Sequence, residues 1–198
     1  MGRFTEARFL LSAAAAGQFP PDRGCEVAFA GRSNAGKSSA INAILARRSL
    51  ARTGKTPGQT RLLNFFELEA GRRIVDLPGY GYARVPERER LQWGPLLEAL
   101  RERRSLRGLF LIVDARRGLR EPDLALIEWA NPAARGVHVL LTKTDKLNRG
   151  EAAEVLRATH KRLEGRITAQ LFSAQNGMGL AEAEQTLLRW LGEDSAGE

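Results

Sequence analysis

Gly31-Arg32-Ser33-Asn34-Ala35-Gly36-Lys37-Ser38 is an uninterrupted G-x-x-x-x-G-K-S, and its surroundings decide how the chain folds. The apolar run 26–30 before it has the content of a buried strand, and the run 39–46 after it sets Ile41, Ile44 and Leu45 at helical spacing. Strand, glycine-rich loop and helix in that order read as a phosphate-binding loop. Gly31 and Gly36 let the backbone turn tightly and come close to an anion, so that successive N–H groups and the positive helix end point at a phosphate. Lys37 supplies a mobile charge for the β- and γ-phosphates of a nucleotide, and Ser38, followed by Ser39, offers a hydroxyl to Mg2+.

The remaining chain is of a size to complete such a fold. Its 198 residues predict one domain, and a hydrophobic share of 43% excludes a disordered protein. The net charge of +8 comes mostly from arginine, since the lysines are only Lys37, Lys55, Lys143, Lys146 and Lys161. Arginine forks onto phosphates and stacks on bases, which suits a partner containing RNA; charge spread over a solvated surface is the alternative. The single cysteine, Cys25, cannot form an internal disulfide, and no Cys/His cluster has metal-ligand spacing, so a reducing cytosol is expected. Residues 9–17 loosely resemble a signal peptide, but Glu6 lies in the charged region and the apolar run is too short. No stretch approaches the ~20 apolar residues of a membrane span.

Taken in order, residues 1–22 are an N-terminal extension in which 7–11 could add a strand to the sheet, and Pro20-Pro21 breaks the chain before the first core strand. The polar, basic segment 47–61 reads as a long loop. Strands at 62–68 and 72–76, joined by a turn at Ala70-Gly71, form a hairpin. Asp76 closes it and opens Asp76-Leu77-Pro78-Gly79, an acid at a strand end followed by a flexible turn. Helices are predicted at 86–103, 121–130, 149–163 and 180–191, alternating with strands at 108–114, 137–141 and 169–173. The fold class is therefore three-layer α/β: a mostly parallel sheet of about six strands, one antiparallel at the edge, with helices on both faces.

The base is read after the strand ending at Leu141. Thr142-Lys143-Thr144-Asp145, followed by Lys146, has the [NT]-K-x-D form of a guanine loop. Asp145 can accept hydrogen bonds from the ring N–H and exocyclic amine of guanine, a pair that adenine does not present, and the Lys143 stem can lie over the base. Thr142, in place of the more usual asparagine, keeps a hydroxyl that can tether the loop. Phe172-Ser173-Ala174 ends the final strand in register with the last guanine loop, where a backbone N–H can meet the guanine carbonyl.

With these segments in this order the chain resembles the P-loop GTPases of the TrmE-Era-like class. More narrowly, GRSNAGKSS (31–39), ARTGKTPGQTRLLNFF (51–66), DLPGYGYARVP (76–86), IEWA (127–130) and LLTKTDKL (140–147) are similar to the EngB (YihA/YsxC) family of bacterial ribosome-biogenesis GTP-binding proteins. The resemblance implies a cytoplasmic, monomeric, Mg2+-dependent GTPase with no membrane attachment. It also implies binding of GTP and GDP and assistance in large ribosomal subunit assembly, in a family linked to cell division and septation. It makes Ser38 and Thr60 the direct Mg2+ ligands, with Asp76 acting through water. Gly58, Gln59, Thr60, Arg61 and Leu62 become the first switch, 76–84 the second, and Lys37, Thr60 and Gly79 the groups acting on the γ-phosphate. Asn34 is placed to help hold K+, as in potassium-activated relatives. Tyr80 stands where Ras-like switches carry the water-orienting glutamine and is expected to point away, leaving hydrolysis slow. Two basic clusters, Arg47-Arg48-Arg52-Lys55 and Arg101-Arg103-Arg104-Arg107, are expected to touch ribosomal RNA. A P-loop kinase or ATPase is disfavoured by Asp145, and a basic RNA-binding module with a structural guanine nucleotide is the remaining alternative.

Overall fold

The computed structural model describes residues 4, 6–51, 62–69, 71–80, 87–130, 134–163, 165 and 167–192, with only the backbone of 87–93. The first-switch residues Gly58, Gln59, Thr60 and Arg61, and the basic residues Arg52 and Lys55, lie outside the described residues. Among the described residues seven strands form one sheet. They are β1 (Arg8–Ala13), β2 (Cys25–Gly31), β3 (Leu63–Glu69), β4 (Arg72–Asp76), β5 (Leu106–Asp114), β6 (Gly136–Thr142) and β7 (Thr168–Leu171). Their order across the sheet is β1-β3-β4-β2-β5-β6-β7. Only β3 runs against the others, pairing antiparallel with both β1 and β4. The seventh strand comes from the N-terminal extension and lies outside the hairpin, so the outermost strand on that side is β1.

Alternation along the strands divides the apolar residues between two faces. Val27 and Phe29 of β2, Phe110 and Ile112 of β5 and Leu140 of β6 join Ile41 and Ile44 of α1 (Lys37–Ile44) and Leu187 of α5 (Leu180–Trp190) in one buried cluster. Ala28, Leu109, Leu111, Val139 and Leu141 point the other way. There they meet Leu96 and Leu100 of α2 (Glu87–Arg101), Ile127 of α3 (Glu121–Ala130) and Val155 of α4 (Arg149–Arg162). The three layers expected from the alternation of strands and helices follow directly. Pro95 lies inside α2.

Two glycines key the last helix to the sheet. Gly108 and Gly136 are register partners on β5 and β6, and the Trp190 ring lies across both. A Cβ atom would come within 2.4 Å of the ring at Gly108 and 2.3 Å at Gly136. The ring also packs on Phe110, centroid to centroid 5.0 Å.

At the amino ends of the parallel strands Glu26, fully buried, accepts hydrogen bonds from Arg73 Nε (2.8 Å), Arg103 Nε (2.6 Å) and Ser105 Oγ (2.9 Å). Arg103 also donates to the Pro20 carbonyl at 2.9 Å and covers the Phe19 ring. This corrects the second basic cluster: Arg103 is only 7% exposed and its guanidinium is paired with the buried Glu26, so it does not face an RNA partner. Arg104 and Arg107 are exposed, as are Arg47 and Arg48.

Candidate guanine nucleotide site

The loop from β2 to α1 turns through two left-handed residues, Asn34 at φ 63° and Gly36 at φ 98°. Gly36 is the N-cap of α1, where no side chain supplies a cap, so the first N–H groups of the helix remain available to an anion. Gly31 is needed for close approach, since a Cβ there would sit 2.7 Å from the Ile112 carbonyl oxygen. Lys37, the first residue of α1, extends to the end of β4 and pairs with Asp76. Burial pushes the Asp76 carboxyl up and Lys37 offsets that only in part.

Beyond Asp76 the chain stays against the P-loop. Leu77 N donates to Phe29 O at 2.9 Å, Tyr80 N to Gly31 O at 3.3 Å and Ser33 N to Tyr80 O at 3.0 Å, so Arg32 and Tyr80 form a one-residue parallel bridge. Pro78 lies within this run, and Gly79 packs closely on the P-loop, a Cβ there falling 2.9 Å from Ser33 Oγ and 3.2 Å from Ser33 Cα. The Tyr80 hydroxyl turns to α3 and donates to Asp123 Oδ1 at 2.6 Å, while Asp123 Oδ2 accepts Arg120 N at 2.7 Å. Burial, then the Asp123 charge, drives the phenol pKa far up. The tyrosine is thus neutral and committed to the helix.

The guanine loop and the phosphate loop are bonded to each other. Thr142 Oγ1, almost wholly buried, donates to the Ala35 carbonyl and shares a contact with Val113 O at 3.1 Å. Lys143, held at φ 62°, reaches the Asn34 carbonyl and Asp114 Oδ2, the latter at 3.0 Å. Asp114 also takes both Nε and Nη2 of Arg116, at 2.9 and 2.7 Å. Burial works to raise its carboxyl, but Arg116 and Lys143 outweigh burial and hold it at about 2. Thr144 opens a short turn, Thr144–Lys146, and its hydroxyl donates to Phe172 O at 3.0 Å.

Asp145 meets the last loop. Its Oδ1 accepts the Ser173 hydroxyl at 2.7 Å and its Oδ2 pairs with Lys146 at 3.2 Å; the Ser173 bond, foremost, keeps the carboxyl low and ionised. Ser173 is fully buried, Ala174 exposed beside it. An ionised carboxylate oriented by a buried hydroxyl can accept two N–H donors from one edge of a guanine. The fold thus brings together the residues 31–39, 76–79, 142–146 and 172–174 that the motifs singled out. Two acids were not singled out. Asp114 anchors Lys143, and the signal available was its place at the carboxyl end of a core strand. Asp123 anchors Tyr80, and at a separation of 43 positions no local pattern marks the pair.

Comparison with known proteins shows what this chain is similar to. Residues 26–143 match the family model described as 50S ribosome-binding GTPase. The protein of Aromatoleum aromaticum named "Probable GTP-binding protein EngB" is 51% identical over 193 residues, covering 96% of this chain and 89% of its own. A protein of the same name from Methylococcus capsulatus is 50% identical over 189 residues, covering 93% and 90%. Among solved structures, a crystal structure bearing the name engB superposes with a TM-score of 0.69 at 21% identity, covering 86% of this chain and all of that one.

Proposed function

Because the chain belongs to the EngB family of P-loop GTP-binding proteins, we propose that it is a slow, Mg2+-dependent GTPase that switches on and off the assembling large ribosomal subunit. The observation that carries the guanine reading is Asp145, ionised and fixed by Ser173, on a loop tied through Thr142 and Lys143 to the phosphate loop. Base and phosphates would be held by one connected frame. The ribosomal partner is supported by the description of the matching family model and by the exposed arginines Arg47, Arg48, Arg104 and Arg107.

Hydrolysis joins a water oxygen to the γ-phosphorus and breaks its bond to the bridging oxygen, releasing GDP and phosphate. Lys37 is paired with Asp76 here and would turn to the β- and γ-oxygens when nucleotide enters, stabilising charge that spreads in the transition state. Gly79 N–H would meet the γ-phosphate. Asp76 and the Ser38 hydroxyl are hard oxygen donors suited to Mg2+, with Thr60 from the first switch. Bound there, Mg2+ would supply charge neutralisation of the β- and γ-oxygens. Tyr80 cannot orient the water while its hydroxyl is committed to Asp123, so basal turnover stays below ~1 per second. Asn34 gives K+ a site beside the phosphates, and rates in K+ against Na+ test that. The protein would act as a cytoplasmic monomer, and any effect on division and septation would follow from failed ribosome assembly.

The test is nucleotide choice combined with subunit binding. Asp145→Asn should lose GTP preference and gain xanthosine triphosphate, because an amide donor then faces an oxygen acceptor. Wild-type protein should bind purified large subunits in its GTP form and release them as GDP forms. Unchanged GTP preference in Asp145→Asn refutes the base assignment, and equal failure of both nucleotide forms to bind subunits refutes the ribosomal role.

A further inference from the structure

Two polar side chains are buried inside the sheet face that carries α5. Alternation sets His138 of β6 and Gln170 of β7 on the same side as Leu140, the register partner of Gln170, and Phe110 meets the imidazole edge to face. His138 is 3% exposed and Gln170 4%, so each polar atom needs a protein partner. All of them have one. His138 Nδ1 lies 2.6 Å from Thr168 Oγ1, His138 Nε2 lies 2.8 Å from Gln170 Oε1, and Gln170 Nε2 lies 2.7 Å from the Gly179 carbonyl oxygen. The direction of these bonds follows from the last of them. A carbonyl only accepts, so the amine end of Gln170 faces Gly179, its oxygen is left to the imidazole, and His138 Nε2 carries a proton. Burial pushes the imidazole pKa down, which keeps the ring neutral with Nδ1 free to accept the Thr168 hydroxyl. Donation therefore runs one way, from Thr168 through His138 and Gln170 to Gly179.

The end of this relay is the end of a loop that reads the base. Gly179 is the N-cap of α5, held at φ 71°, and closes the loop 173–179 that follows β7. A Cβ there would fall 2.5 Å from Gln170 Nε2, so amide and backbone are in close contact. Next to it, Met178 O accepts Ser173 N at 3.0 Å. The Ser173 hydroxyl accepts Gln175 N at 3.2 Å and donates to Asp145 Oδ1 at 2.7 Å. Apolar residues would fill the places of His138 and Gln170 without needing partners; a fully satisfied polar chain adds direction and fixes where the loop ends. We propose that Gln170, oriented by His138, is a positioning residue for guanine recognition, an inference that rests on the assignment of the base to Asp145 above. Gln170 holds Gly179, the loop end holds Ser173, and Ser173 holds the carboxylate that meets guanine.

The experiment uses the full chain with Mg2+ and titrates it with GDP and with inorganic pyrophosphate, which has phosphates and no base, well below the melting midpoint of each variant. Gln170→Met keeps the length of the side chain and removes both ends of its amide; Gln170→Leu removes them in a different shape, and either folded variant decides. GDP should bind roughly tenfold more weakly while pyrophosphate stays within about twofold of wild type. His138→Gln keeps an N–H in the place of the imidazole Nε2 and should hold GDP affinity near wild type. His138→Phe keeps a ring against Phe110 but loses that donor, and should weaken GDP by about threefold or more. A merely structural role would lower the melting midpoint and leave both affinities unmoved, which would overturn the proposal. GDP and pyrophosphate weakened in step, or a His138→Phe variant that binds GDP as well as His138→Gln, would overturn it too. Asp145→Asn in the same titrations separates the two readings. If it loses GDP affinity and the Gln170 variants do not, the positioning role fails alone; if the Gln170 variants lose GDP affinity and Asp145→Asn does not, the base assignment fails alone.

Discussion

The tie between the two loops can be weighed with one atom. Thr142→Val keeps the shape of the side chain and removes the hydroxyl that serves the Ala35 carbonyl. One hydroxyl has one proton, so although two carbonyls lie within reach only one full hydrogen bond is lost. A buried bond contributes about 0.5–1.5 kcal/mol net, and the site is only 3% exposed, so water does not replace it. Adding part of the cost of leaving a buried carbonyl without a partner gives about 1–2 kcal/mol. If the hydroxyl holds the P-loop in its binding shape, that appears as a five- to thirty-fold rise in the Kd for GDP. In a thermal melt of nucleotide-free protein it appears as a Tm lowered by about 2–8 °C. Calorimetric titration with GDP and a melt of the same sample measure both. Thr142→Ser restores the hydroxyl and should return most of each. A Val variant that melts early but binds GDP within about twofold of wild type would refute the coupling of the two loops. A Ser variant no better than Val would show that shape, not the hydrogen bond, was at work.

Tyr80→Phe loses the 2.6 Å bond to Asp123 and should cost about 1–2 kcal/mol of stability, while basal GTP hydrolysis stays within a few-fold; a collapse of turnover would make Tyr80 catalytic. Gly136→Ala drives a Cβ into the Trp190 ring, so urea unfolding should show a loss of about 1–3 kcal/mol, and Trp190→Leu should recover part of it; an unchanged midpoint would mean that the helix shifts freely. Acid should unfold the protein partly through Asp22. Burial pushes its carboxyl up, but bonds from Ser105 and Arg104 bring it down to about 2 from 3.8, so its contribution is full above pH ~4 and disappears as pH falls toward 2. Asp76 is shifted the opposite way, so the measurement is the difference between wild type and Asp22→Asn in melts from pH 5 to 2, which should shrink as pH falls.

What could be read from the chain was what repeats locally. Helix α3 occupies the residues expected of it, 121–130, because Pro122 fixes the start and Ile127 and Ala130 return to the sheet at helical spacing. The P-loop and the guanine loop were legible because their chemistry requires particular residue types at fixed spacing. The contacts that hold the site in shape were less so. Thr142 to Ala35 spans 107 residues, and nothing near either position announces the other. Arg103 looked like its neighbours Arg101 and Arg104; its burial depends on Glu26, brought to it by the pairing of β2 with β5. Strand β1 carries a weak alternation and leaves Phe9 half exposed, as an outermost strand can, so its place beside β3 came from hydrogen bonding rather than from pattern.

The carboxylate of Glu26 also acts as a check on assembly. It stands at the start of β2, with β4 on one side and β5 on the other, and Arg73 is its register partner across the β2–β4 pair. Both arginines reach it only when both neighbours have docked and are aligned. Slipping β4 by one residue would turn Arg73 to the opposite face and take one of the two guanidinium partners from the buried carboxylate, leaving Arg103 alone on it. A hydrophobic trio in the same place would hold the sheet at least as firmly yet tolerate the slip. The triad therefore discriminates against misregistered sheets: the register that joins Arg73 to Glu26 at one end of β2 and β4 is the register that brings Asp76 to Lys37 at the other.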